Sequence, residues 1–386
     1  MIPTVPTIYP EDTKLQARYR QVMFEKHFSQ HVGVDGPDPP ITCMSNASLV
    51  VWGNRQYTRN SIWNDNDIIT GTGWVHPHEI NNLDKQCFLL PGCKSTGERD
   101  WNLYRDTGRK EIDSTQTFNG NWLFFPAWQP DNYSHVITDN LPYLHYFLDQ
   151  VREKHGPDVK LMLPHGHPLK NIIGIDLELY KNTIWLRNNR KFIINGNLIT
   201  TTPIKYPCVM YTKMQPSYVN WLDRVLPSVD KIENVIYYSR TNAGHGRALA
   251  PENEAKIIDC IKHKMKEMKI PGKLIIFTGN KVGVHEQINT FRSAHTIIGP
   301  HGTGIVNYMW TCSNTRKAPV NLLEFICDDE TSYIQHEYNG YHHVSPGANV
   351  NWGHVIYTAL STKYKTYVDV NHVGYAIEKL ILNNKY

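Results

Sequence analysis

The sequence predicts an α/β protein of two doubly wound units. Short apolar runs alternate with amphipathic helical stretches from Asn121 onward. One of those runs leads straight into a glycine-rich turn. The 386 residues exceed what a single ordinary α/β core needs. Hydrophobic residues make up 40% and charged residues 20%, enough apolar surface to bury real cores and too little charge for a disordered chain.

Residues 1 to about 120 are rich in Asn, Asp, Gly and Trp. Their short apolar runs at 48–52 and 87–90 read as strands of an irregular α+β start. Residues 122–125 read as a buried strand, and 141–155 as a helix with Pro142 in its first turn. A strand at 160–163, a helix at 169–179 and strands at 183–186 and 191–194 follow. The second half reads more sharply. A strand at 235–239 precedes a helix opened by Pro251 that runs to about Lys269, with Ile257, Ile261, Met265 and Met268 on one face. Then come a strand at 273–277, a helix at 284–293, a strand at 295–298, the glycine turn, a helix at 305–310, a strand at 321–326 and a last helix at 372–382. The proline-marked stretch 202–227 is the expected boundary, giving units 1–215 and 216–386.

The formal net charge of +4 is spread without a basic run, so nucleic acid is not an expected partner. Seven irregularly spaced cysteines without a CxxC pair fit a reducing compartment better than a disulfide framework. No stretch is long and apolar enough to span a membrane, and no leader is legible at the start. A soluble, cytoplasmic protein is therefore expected. The acceptor patterns at Asn46 and Asn132 would then go unglycosylated.

The turn Gly299-Pro300-His301-Gly302-Thr303-Gly304 sits at a strand's carboxyl end, where open α/β sheets bind ligands. Backbone N–H groups at a helix start favour an anion, and glycines let a diphosphate approach. The spacing matches neither a dinucleotide fingerprint nor a Walker loop, which argues against an NAD(P)-dependent oxidoreductase or an ATPase. Arg240 ends the strand at 235–239 and Arg247 follows seven residues later. A guanidinium grips phosphate oxygens bidentately, and each charge-assisted bond is worth roughly 1.5–3 kcal/mol against about 0.3–1 kcal/mol for a helix dipole. The arginines should dominate the affinity for a diphosphate that they reach.

The runs YYSRTNAGHGRALAPENE, VHEQINTFRSAHTIIGPHGTGIVNYMW and NLLEF resemble the C-terminal domain of glycosyltransferase family 61. That family holds plant N-glycan β-1,2-xylosyltransferases, xylan arabinosyltransferases and animal N-acetylglucosaminyltransferases. Its pattern falls on Arg240, Arg247, Asn253, Glu254, Glu286, Gln287, His301, Gly302, Gly304, Asn307 and Glu324, with Thr303 in place of the usual Ala. The spacing from Arg247 to Asn253 is longer than usual. The segment from Asn132-Tyr133-Ser134-His135 to Asp139-Asn140-Leu141-Pro142 is similar to the family's Asn-Tyr-x-His…Leu-Pro motif. The resemblance covers about 150 residues of the second half well and nothing in the first 120.

The resemblance implies a GT-B-type fold, two Rossmann-like domains facing a cleft, an inverting mechanism and a UDP-sugar donor. Unit 1–215 would bind the acceptor, a glycan or glycoprotein, and unit 216–386 the donor. UDP-xylose is the first choice of donor, before UDP-N-acetylglucosamine and UDP-arabinose; the chain would be either a cytosolic member, such as those encoded by large DNA viruses of algae, or one that lacks a Golgi anchor. Arg240 and Arg247, with the Gly302, Thr303 and Gly304 amides, would stabilise the leaving diphosphate. His301 would contact the donor and Glu324 would accept hydrogen bonds from the ribose hydroxyls. Glu286, Asn307 and Asn132 would complete the substrate contacts. His135 is the expected base, because imidazoles ordinarily titrate near neutrality; Asp139, four residues on, would share its helix face.

No metal or other cofactor is expected. No Asp-x-Asp pair occurs, and His76/His78, His165/His167 and His342/His343 have no evident third ligand. Trp74, Trp101 and Trp128 are candidate sugar contacts, with core packing the competing role. A non-catalytic glycan- or nucleotide-binding protein on the same fold is the alternative from another class.

Overall fold

The computed structural model describes residues 41–53, 58–63, 68–72, 114–127, 130–187, 190–201, 214–228, 231–241, 248–279, 282–327, 350–357 and 367–383. The chain divides into two compact units, with the break between Pro207 and Cys208.

The N-terminal unit carries a mixed sheet in the order β4-β3-β2-β8-β5-β6-β7, with β1 also on β8. Its strands are β1 (Ile41–Ser45), β2 (Ser48–Gly53), β3 (Thr58–Trp63), β4 (Ile68–Thr72), β5 (Ser114–Phe124), β6 (Lys160–Pro164), β7 (Thr183–Leu186) and β8 (Arg190–Thr201). Strands β8, β5, β6 and β7 run parallel, while β1 to β4 add an antiparallel wing. The expected strand at 48–52 is β2; the expected strand at 87–90 lies outside the described residues.

Strands β5 and β8 are far longer than their apolar runs. Each continues through an Asn-Gly-Asn, and the two triplets pair in register, Asn119 with Asn195, Gly120 with Gly196 and Asn121 with Asn197. Asn195 Nδ2 donates to Asn119 Oδ1 at 3.2 Å and Asn197 Nδ2 to Asn121 Oδ1 at 3.0 Å. Amide pairing thus replaces the packing that a polar strand segment lacks. Gly196 is obligatory: at φ +143° its Cβ would lie 2.3 Å from the Gly120 carbonyl oxygen.

Helix α1 (Leu141–His155) buries Leu144, Phe147, Leu148 and Val151. The expected helix at 169–179 is two, α2 (His167–Ile173) and α3 (Leu177–Lys181). The chain breaks at Gly174, and Asp176 then caps α3 by accepting from Leu179 N at 3.1 Å.

The C-terminal unit is a five-stranded, all-parallel sheet in the order β10-β9-β11-β12-β13. Its strands are β9 (Asn234–Tyr238), β10 (Leu274–Phe277), β11 (Ala294–Pro300), β12 (Val320–Cys327) and β13 (Val350–Tyr357). Numbered within the unit the order is 2-1-3-4-5, that of a flavodoxin-like doubly wound sheet, whose switch point lies between β9 and β11. Helix α4 (Gln215–Val225) precedes β9. Helix α5 (Pro251–Glu267) joins β9 to β10, α6 (Val284–Arg292) joins β10 to β11, and α7 (Val370–Asn383) closes the chain. Residues of one pleat parity (Val235, Tyr237, Ile298, Leu323, Phe325) form a core with Ile257 and Ile261 of α5 and Val373, Ile377 and Leu380 of α7. The expected α-helix at 305–310 is a 3-10 helix, Ile305–Thr311. Its three-residue period stacks Asn307 under Trp310, whose Nε1 donates to Asn307 Oδ1 at 3.0 Å.

Candidate functional site

In the C-terminal unit, the carboxyl ends of β9 and β11 are adjacent strand ends at the switch point. The segment Ser239-Arg240-Thr241 leaves β9, and the glycine turn leaves β11. Arg240 Nη1 donates to the His301 carbonyl oxygen, which ties the guanidinium to the turn. Its Nε is buried and has no hydrogen-bond partner among the described residues, and no carboxylate among them pairs with it. A partly buried guanidinium that lacks an acid of its own is an anion-seeking group.

The glycines have a structural reason that the sequence does not display. At φ +148°, a Cβ on Gly302 would lie 2.0 Å from Arg240 Nη1, and one on Gly304 would lie 2.1 Å from the Tyr238 ring. Gly302 and Gly304 make room for the side chains leaving β9. The turn leads into a seven-residue 3-10 helix, so the α-helix dipole expected behind it is absent, and Arg240 is the larger electrostatic contributor. Thr303 is exposed at the tip.

His301 and Glu324 are brought together, but not as expected. Glu324, on β12, is 0% exposed, and its Oε1 pairs with His301 Nδ1. A carboxylate so buried is held against the imidazole, not presented to ribose hydroxyls; its geometry is that of a residue orienting His301. Asn307 is likewise fully buried. Its Oδ1 accepts from Gln287 Nε2 at 2.7 Å, and its Nδ2 donates to the Gly304 carbonyl at 2.7 Å. It locks the turn from behind rather than facing solvent. Glu286 is exposed on the first turn of α6; its neighbour Gln287 is the one that reaches the site. Arg247 lies outside the described residues, as do His76, His78, His342, His343, Trp74, Trp101 and Trp128. His165 and His167 are exposed, and among the described residues no three His, Cys, Asp or Glu side chains cluster as metal ligands would.

In the N-terminal unit, the segment after the carboxyl end of β5 carries His135 and Asp139. Asn132 caps a short helical turn, Tyr133–His135, by accepting from Ser134 N and Oγ, so its side chain is engaged locally. The helix continues as a π turn, Val136–Asn140, before α1. Pro142 explains the π turn: it cannot donate to residue 138 and its ring crowds that carbonyl, so Leu141 N bonds Val136 O instead. His135 Nδ1 lies 2.7 Å from Asp139 Oδ2, with the imidazole 19% and the carboxylate 4% exposed. Thr138 Oγ1 donates to Asp139 Oδ1 at 2.9 Å and fixes the carboxylate. With Nδ1–H donated to Asp139, the Nε2 lone pair is the basic position of the ring. Thr138, Thr241 and Tyr238 were not singled out from sequence, whereas Gln287 was, through the family pattern.

Among the described residues no helix is long and apolar enough to cross a membrane. The comparison with curated proteins finds no match. A search of solved structures finds the bacterial iron-containing dodecameric glycosyltransferase TibC from enterotoxigenic E. coli H10407, at 11% identity over 75% of this chain and 81% of that one. The TM-score is 0.28, too low to bear on fold or function. The family model Glycosyltransferase 61 matches residues 133–318, a span that takes in His135, Asp139, Arg240 and the whole glycine turn. Over residues 133–318 the chain is thus similar to the glycosyltransferase 61 family.

Proposed function

We propose that this protein is an inverting glycosyltransferase of GT-B type that moves a sugar, xylose first among the candidates, from a UDP-sugar to a hydroxyl of a glycan or glycoprotein. The C-terminal unit takes the donor and the N-terminal unit the acceptor. The reading rests above all on Arg240, a partly buried guanidinium without a carboxylate among the described residues, at the switch point of a parallel sheet. As the glycosidic bond breaks, negative charge builds on the departing diphosphate, and a fixed guanidinium stabilises it without reorganising. His301, oriented by Glu324, adds a second donor contact at the same turn. His135 Nε2 removes the acceptor proton while Asp139 stabilises the imidazolium that forms. The sugar then passes from the UDP oxygen to the acceptor oxygen with inversion. Charge stabilisation falls to side chains, so turnover is expected to persist in EDTA. The free thiols of Cys43, Cys260 and Cys312 fit a cytoplasmic site of action.

A panel of UDP-sugars, read by UDP release with and without glycan acceptors, tests the proposal. One preferred donor is expected. Release from none, with a melting temperature indifferent to UDP, would favour a non-catalytic binding protein.

A further inference from the structure

Arg240 can act only if the short segment that carries it is held, and Thr241, next to it, is exposed. The hold comes from α5. Glu254, one turn into that helix and 7% exposed, uses its two carboxylate oxygens on two different neighbours. Oε1 accepts from the Tyr237 hydroxyl at 3.2 Å, and Oε2 accepts from Thr241 Oγ1 at 2.7 Å. Ser239 Oγ and Thr241 Oγ1 are themselves hydrogen-bonded, and Thr241 N donates to Ser239 Oγ at 3.3 Å. The residues on either side of Arg240 are therefore fastened to each other and to one buried carboxylate. Burying a carboxylate against neutral hydroxyls is costly without an ion pair, and among the described residues Glu254 has none; the start of α5 offsets only part of that cost. Burial and Glu254 together push the Tyr237 phenol up, which keeps it a donor to the carboxylate.

We infer that Glu254 and Thr241 are positioning residues: through the Glu254–Thr241 hydrogen bond they aim Arg240 at the donor diphosphate. The inference rests on the proposed role of Arg240. Loss of the bond leaves the guanidinium in place chemically but lets its backbone swing, so the donor is bound less well while proton removal from the acceptor is untouched.

The test is donor KM, kcat and melting temperature for T241V, T241S, E254Q, I261V and R240A in the full chain. T241V should raise donor KM about tenfold, the worth of one hydrogen bond of ~1.4 kcal/mol, with kcat and melting temperature changed far less. T241S, which keeps the hydroxyl, should restore wild-type KM. E254Q should shift KM in the same direction as T241V. I261V trims the buried face of the same helix without touching the clamp; it should lower the melting temperature and leave KM alone. Wild-type KM in T241V, while R240A loses donor affinity, overturns the inference. So does a KM rise in I261V matching that of T241V, since that would make the effect one of general stability. Wild-type KM in R240A would instead remove the reading on which the inference stands.

Discussion

Gly302 and Arg240 occupy one another's space, and each explains the other. The residue at 302 must be glycine because the guanidinium lies where a Cβ would be, and the guanidinium is fixed because the His301 carbonyl accepts from it. Gly302→Ala should therefore act as an arginine variant in disguise. Its donor KM should rise toward that of Arg240→Ala, at least about tenfold for a displaced charge-assisted bond, as steady-state UDP release would record. Asp139→Asn should leave donor KM alone and lower kcat about a hundredfold or more, because the base loses its orienting charge. If that variant raised donor KM and spared kcat, the pair would not be the base. The sequence displayed both His135 and Asp139 and their spacing. It could not display Glu324 turned inward, because a strand-borne carboxylate reads the same whether it meets a ribose or a histidine.

Elements became legible in proportion to their apolar content. The runs at 235–239 and 321–326 predicted β9 and β12 closely, because a central parallel strand is buried on both faces; the run at 273–277 predicted β10 as well, although β10 is an edge strand with Ile276 exposed. β5 and β8 were only half visible, since residues 114–121 and 195–197 are polar and hold their register by paired amides and facing glycines. The 3-10 helix and the π turn were hidden for a related reason: hydrophobic periodicity does not report which carbonyl each N–H chooses. At this scale Asn253 matters most. Its Nδ2 donates to the Val368 carbonyl at 2.9 Å and its Oδ1 accepts from Val368 N at 2.8 Å, clipping the entry of α7 to α5. Asn253→Ala breaks two buried bonds and orphans both backbone groups, so a loss of roughly 2–4 kcal/mol is expected in chemical denaturation. A loss below 0.5 kcal/mol would mean that α7 is held by its apolar face alone.

Across the whole molecule, the proposed chemistry falls on different strand ends. In the C-terminal unit the 2-1-3-4-5 order opens the sheet between β9 and β11, and both Arg240 and the glycine turn issue from that opening. In the N-terminal unit the imidazole–carboxylate pair follows β5, at the middle of the parallel strands. Hydrogen exchange should separate the two. UDP alone is expected to protect amides around 239–241 and 300–304 and to leave 133–140 as they were; protection at 133–140 without protection at the glycine turn would reverse the assignment of donor and acceptor units. Thiol labelling of the native protein should reach exposed Cys43 and spare Cys312, whose thiol burial pushes up to about 12.

Calorimetric titration of UDP into the wild-type chain and into Arg240→Ala addresses the diphosphate cradle most directly. The account predicts saturable binding to the wild type and an affinity at least about tenfold weaker in the variant, with both proteins melting at similar temperatures in the absence of UDP. Equal affinities in the two folded proteins would contradict it.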